Sequence, residues 1–208
     1  MPTTNVLVLF YSMYGHVYRM AEAVAEGARQ APETEVTLKR VPELVPDDVL
    51  EKSGAKEAQE TFKHVPVVTV EELDRYDCLL LGTPTRYGNM TAQMRNYLDQ
   101  TGEHWAKGKL IGKTAGVFTS TQTQHGGQES TILSTHITLL HLGYVIVGMP
   151  YSVQEQMTGD EIAGGSPYGA SLVAGGPQPR PSELEKTMAH KFGEHVVRVA
   201  RKVAHGPA

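Results

Sequence analysis

Asn5-Val-Leu-Val-Leu-Phe-Tyr-Ser-Met-Tyr-Gly-His-Val17 decides the fold. Val6 to Tyr11 are apolar at every position, on both alternating faces, as in a central parallel strand covered by helices on each side. Beyond a turn at Ser12-Met-Tyr-Gly15, the residues Val17, Met20, Ala21, Val24, Ala25 and Ala28 recur at three- and four-residue steps. They form one stripe of a helix that packs on the sheet. Outward from this unit the same strand, loop and helix recur. Residues 77–82 read as a second buried strand, followed by the loop 83–89 and by Met90, Met94, Tyr97 and Leu98 at helical spacing. Residues 114–119 read as another strand, which runs through a polar loop ending in Gly126-Gly127 to an amphipathic segment over 128–141. Residues 35–39 alternate as a half-exposed strand nearer the edge, and 144–147 form the fifth strand. Ser182 and Glu185 have capping-box spacing, and Leu184, Met188, Phe192, Val196, Val199 and Val203 make the apolar stripe of a closing helix.

Strands alternating with helices imply right-handed crossovers and therefore an α/β, doubly wound, five-stranded parallel sheet. The expected order is 2-1-3-4-5, with a ligand crevice at the carboxyl ends of strands one and three. Residues 42–66, rich in Pro, Asp, Glu and Lys, read as a surface insertion after strand two, with one short helix near 48–53. Thr69-Val-Glu-Glu72 has the spacing of a capping box for a short helix through Leu73. Residues 148–182 carry many Gly and Pro with no period. A loop of that length after strand five is a functional or assembly element.

The 208 residues suit one domain. With 40% hydrophobic and 20% charged residues, neither disorder nor a fibrous repeat fits. A single cysteine excludes a disulfide framework within the chain and points to a reducing, cytoplasmic setting. No window reaches a membrane span of ~20 apolar residues. A net charge of −4 with dispersed basic residues argues against nucleic-acid binding. The nine histidines lack metal-binding spacings, so no metal is expected. Cys78, inside a buried strand, is expected to be inert.

Three loops converge on the expected crevice. The first, Ser12, Met13, Tyr14, Gly15, His16 and Val17, enters a helix N-terminus and holds no acid, which suits a phosphate. A plain capping turn has the same pattern, and the residues alone leave both open. Neither G-x-G-x-x-G nor a Walker lysine is present, so a mononucleotide fits better than a dinucleotide or a triphosphate. A phospho-receiver is excluded, because Ser12 and Thr83 stand where its acids belong. The second loop, Pro84, Thr85, Arg86, Tyr87, Gly88 and Asn89, suits a flat heterocycle edged by backbone and covered by a ring; it also reads as a surface turn. The third is the polar loop that begins at Ser120.

Ser12-Met-Tyr-Gly-His-Val17, Gly82-Thr-Pro-Thr-Arg-Tyr-Gly-Asn-Met90, Gly127-Gln-Glu129 and Gly165-Ser-Pro-Tyr-Gly-Ala170 resemble the WrbA family of flavodoxin-like NAD(P)H:quinone oxidoreductases. The resemblance spans Val6 to Val203, in order. It implies an FMN-binding homotetramer that reduces quinones by two electrons with NADH or NADPH as donor; one open face on which nicotinamide and quinone stack in turn would give a ping-pong cycle. It assigns Ser12 to Val17 to the phosphate, Thr85 to Tyr87 to the flavin ring, and Ser120, Thr121, Gln122, Thr123 and Gln124 to the other side of that ring. By the same resemblance His141 is a flavin contact, Tyr14 a nicotinamide contact and Trp105 a substrate contact. Read alone, His141 suits a core histidine and Trp105 a core residue. Two departures stand out. Gln122, Gln124 and His125 interrupt the Gly-rich third loop of relatives, and Val17 replaces the Thr of true flavodoxins. A one-electron carrier and an FMN-holding regulatory protein are the competing readings; the mild net charge disfavours the carrier.

Overall fold

The computed structural model describes residues 2–175 and 180–206. Its strands are β1 (Thr4–Phe10), β2 (Thr34–Arg40), β3 (Cys78–Pro84), β4 (Thr114–Thr121), β5 (Val145–Ile146) and β6 (Ser171–Val173). They form one parallel sheet in the order β2-β1-β3-β4-β5, with β6 also paired to β4. The expected 2-1-3-4-5 order is therefore present. The helices are α1 (His16–Ala28), α2 (Asp47–Lys52), α3 (Ala55–Glu60), α4 (Ala92–Asp99), α5 (Gly102–Ala106), α6 (Gln128–His141) and α7 (Glu183–His205).

β1 shows why the sheet is buried on both faces. Val6, Val8 and Phe10 point into one core with Phe118, Phe192 and Val196, while Leu7, Leu9 and Tyr11 point into the other with Met94, Tyr97 and Leu139. On the first face α1 and α7 cross closely. A Cβ on Gly27 would lie 1.8 Å from the carbonyl oxygen of His190, and one on Gly193 would lie 2.1 Å from that of Val24. Glycine at both positions lets the backbones meet.

The long loop after β5 adds a sixth strand that the sequence does not announce. β5 pairs only with Thr114 and Ala115, and β6 only with Thr119 to Thr121, so the two short pieces occupy one strand position. The loop follows β5 as expected, and β6 within it takes up the same strand position again beside β4. Three residues among Gly and Pro give no readable alternation, which is why Ser171-Leu-Val173 escapes pattern reading. Residues 176–179 of the expected loop lie outside the described residues.

The insertion after β2 contains the expected short helix, α2, and a second, α3. At Thr69 only half of the capping box forms: the Thr69 N–H donates to Glu72 Oε1 at 2.7 Å. The chain then makes a single 3₁₀ turn, Leu73–Arg75, because it must enter β3 at Cys78. Ser182 and Glu185 form the complete box and start α7. Among the described residues no helix is long and apolar enough to cross a membrane.

Candidate active site

At the carboxyl ends of β1, β3 and β4 the three loops surround a cleft of about 160 Å³. Ser12, Met13, Tyr14, His16 and Val17 line it from the first loop, Pro84, Thr85 and Arg86 from the second, and Ser120, Thr121 and Gln122 from the third. The cleft thus sits at the switch point of the sheet, where loops on either side of β1 and β3 diverge.

The first loop presents unpaired backbone donors at the start of α1. Gly15 takes φ +82°, a left-handed conformation that glycine adopts without strain, and serves as an N-cap with no side-chain cap. The first intrahelical bond is Arg19 N–H to the Gly15 carbonyl at 3.1 Å. Among the described residues the N–H groups of His16, Val17 and Tyr18 find no acceptor, and no acid lies in the first turn. His16 Nδ1 is buried there without a partner. Burial, aided by the Arg19 charge, lowers the His16 pKa against the opposing effects of the Arg180 carbonyl and Glu185. Unpaired backbone donors at the positive end of a helix fit a bound phosphate.

The second loop is fixed by its own backbone. Arg86 and Asn89 exchange hydrogen bonds at 2.7 and 3.0 Å, with Tyr87 at φ +53° and Gly88 at φ +77° between them. Two positive φ values are the pattern of a type I′ turn, and Tyr87, a non-glycine residue held in that region, projects fully exposed from its tip. The Gly88 N–H donates to Thr85 Oγ1 at 3.1 Å, and the Thr131 hydroxyl donates to the same oxygen at 2.8 Å. Deeper in, the Thr119 hydroxyl donates to the Thr83 carbonyl at 2.6 Å. Arg86 Nη2 reaches back to Met13 Sδ at 3.4 Å, so this guanidinium joins the first two loops.

The third loop is tied down from outside. The N–H groups of Ala174 and Gly175 donate to the carbonyls of Thr121 (2.6 Å) and Gln122 (2.9 Å), and the Thr121 hydroxyl donates to the Thr123 carbonyl at 2.7 Å. Ala174 itself lines the cleft. Sequence reasoning misses it because its only signal is the short apolar run that ends the long loop.

Gly15, Tyr87, Gly88 and Asn89 belong to the converging loops, and Thr123 and Gln124 come after Gln122 in the third. His141 and Trp105 do not join them. His141 is the exposed last residue of α6, about 20 Å along the helix from Gln128. Trp105 is exposed in α5, beside His104, whose Nε2 lies 3.9 Å from Asp74 just before β3. Both stand at the amino end of the sheet, because each helix must run back there to begin the next parallel strand. Cys78 is buried in β3, and burial pushes its thiol up to about 12. Among the described residues no cluster of three His, Cys, Asp or Glu can hold a metal.

The parallel 2-1-3-4-5 sheet and the cleft at its switch point define a protein of the flavodoxin-like class. A WrbA-like flavodoxin from Agrobacterium tumefaciens superposes with a TM-score of 0.66 over 96% of this chain and 99% of its own, at 24% identity. Oxidised flavodoxin 1 from Bacillus cereus does so at 0.59 and 17% identity, over 94% and 98%. The family model "NADPH-dependent FMN reductase" matches residues 4–158. A protein named NAD(P)H dehydrogenase (quinone) from Aromatoleum aromaticum is 63% identical over 98% of this chain and 99% of its own. One of the same name from Methanosarcina acetivorans is 57% identical over 96% and 98%. The chain belongs to the NADPH-dependent FMN reductase family and, within it, to the WrbA-type flavodoxin-like quinone oxidoreductases, as the motif resemblance implied.

Proposed function

We propose that this chain is an FMN-dependent NAD(P)H dehydrogenase that reduces quinones to hydroquinones by two electrons. The observation that carries this reading is the uncapped start of α1, with its free N–H groups. Relatives named NAD(P)H dehydrogenase (quinone), at 56–63% identity, support it. Ser12 to Val17 would hold the phosphate. The backbone of Thr85 to Tyr87 would border the flavin ring, with Ser120 to Gln124 on its other side.

Bound there, FMN would supply hydride acceptance from the nicotinamide and two-electron delivery to the quinone. The protein's own contribution is electrostatic and positional. Among the described residues the Tyr87 N–H and the Ser120 hydroxyl have no acceptor within the protein, and they would stabilise negative charge on the reduced ring. The exposed Tyr14 would contact the nicotinamide. Donor and quinone stacking in turn on one face gives ping-pong kinetics, so double-reciprocal lines at several quinone concentrations should be parallel. Intersecting lines, or purified protein that neither carries nor takes up FMN, would reject this reading.

We further infer a homotetramer of single-domain subunits. Leu133, Ile137 and Leu140 form an exposed apolar stripe on α6 that leads to His141. Such a stripe is suited to a neighbouring copy, whose Trp105 and His141 would complete the cleft that one subunit leaves open. Light scattering of Ile137→Glu should show smaller particles with reduced quinone turnover; a fully active monomer would refute the idea. Cytoplasmic residence suits the single buried cysteine.

A further inference from the structure

Glu43 belongs to no motif, yet its carboxylate is among the most heavily hydrogen-bonded groups in the molecule. Oε1 accepts from the N–H groups of Leu44 and Val45 (2.9 Å each) and from Gln93 Nε2 (2.9 Å). Oε2 accepts from Gln59 Nε2 (2.6 Å) and from the Tyr11 hydroxyl (3.0 Å). Gln93 Nε2 also donates to the Tyr11 hydroxyl at 3.0 Å, which closes the network. Among the described residues no cation pairs with this carboxylate. Burial works against its charge, but the hydrogen bonds from Val45, Gln93, Gln59 and Tyr11 outweigh it and hold the carboxyl below its ordinary pKa. Burial, with Glu43 adding to it, pushes the Tyr11 phenol far up, so Tyr11 remains a donor.

A half-buried anion held without a cation is a costly way to hold a surface insertion in place. What it gains is geometric. Tyr11 is the residue immediately before Ser12, so its hydroxyl anchors the start of the first loop. Gln93 lies in the first turn of α4, directly after the second loop, and Gln59 fixes α3 of the insertion. A void of about 10 Å³ bordered by Tyr11, Ser12 and Glu43 places the carboxylate behind the wall of the cleft.

We propose that Glu43 is a positioning residue for the flavin cleft: by gripping Tyr11 and Gln93 together, its carboxylate sets the spacing between the first and second loops. This rests on the flavin reading of the cleft. The test titrates apoprotein with FMN and monitors flavin fluorescence for wild type, Glu43→Gln, Tyr11→Phe and the double variant.

Each single variant should raise the Kd about tenfold, as expected for a lost hydrogen bond to a charged group. The double variant should be little worse than either, because both remove the same link. At saturating FMN the visible circular dichroism of the bound flavin should change in all three. Gln93→Met breaks the same network from the other side, and it serves if Glu43→Gln fails to fold. Unchanged Kd and flavin dichroism alongside a lower Tm would reduce Glu43 to a structural role and overturn the proposal. A hundredfold loss in the double variant would overturn it as well. Failure of wild type to bind FMN would instead sink the flavin reading, and the wild-type trace alone reveals that.

Discussion

Replacing Glu185 by Gln preserves the shape of a fully buried side chain and changes only what it can accept. Glu185 has no exposed surface. Its Oε1 takes the N–H groups of Gly164 (3.0 Å) and Val173 (2.8 Å), and Oε2 takes that of Ser182 (2.8 Å) and faces Arg180 Nη1 at 3.3 Å. The Arg180 side chain is itself only 8% exposed. An amide oxygen left at the Oε1 position still serves Gly164 and Val173. The amide nitrogen then opposes two donors, the Ser182 N–H and a buried guanidinium. Losing one charge-assisted bond costs about 1.5–3 kcal/mol, and removing one member of a buried ion pair costs about 3–5 kcal/mol. The two overlap, so a total loss of about 3–5 kcal/mol is expected. Urea unfolding checks it: the midpoint should drop with the slope unchanged, and Tm should fall by roughly 10 °C. Adding Arg180→Met should recover part of the loss, because no charge is then stranded. A loss under ~1 kcal/mol for Glu185→Gln would refute the claim that this carboxylate locks the long loop onto α7.

Gly193→Ala should destabilise the fold by about 1–3 kcal/mol in urea unfolding, even though alanine is the better helix former, because its Cβ would sit 2.1 Å from the Val24 carbonyl oxygen. Gly15→Ala meets no atom within 4 Å of its Cβ, so only the left-handed backbone at φ +82° is taxed; apoprotein Tm should fall by a few degrees, for about 1–2 kcal/mol. Cys78 should not react with a disulfide reagent at mildly alkaline pH until guanidinium unfolds the chain. Its native thiol stays protonated up to about 12, whereas the unfolded thiol ionises near ~8.5. The unfolded state therefore holds fewer protons in that window. Cys78 should subtract about 1.4 kcal/mol of stability per pH unit as pH rises through it, and Cys78→Ala should remove that increment.

Local signals carried most of the architecture. Val6 to Phe10 announce a strand buried on both faces because neither face tolerates a charge, and Ser182 with Glu185 mark the start of α7 because capping is a contact between near neighbours. The three loops of the cleft were legible for the same reason: each directly succeeds a strand whose place in the sheet order was readable. What escaped is non-local. β6 is three residues long and exists only because β4 extends beyond β5. Glu43 meets Tyr11 and Gln93 across 32 and 50 residues of chain, and no periodicity encodes such a meeting. Trp105 and His141 are assigned by the family resemblance, but the return path of each helix carries them to the far end of the sheet.

The divided fifth strand also bears on the order in which the molecule can be completed. A chain emerging from the ribosome can pair β1 to β4 and form α6 while the last wall of the cleft is still unsynthesised. The carbonyls of Thr121 and Gln122 must wait some fifty residues for the N–H groups of Ala174 and Gly175. Fragments ending before β6 would therefore present a recognisable sheet with an unfinished cleft at its carboxyl end, and completion of that cleft would be a late event in the biogenesis of this enzyme.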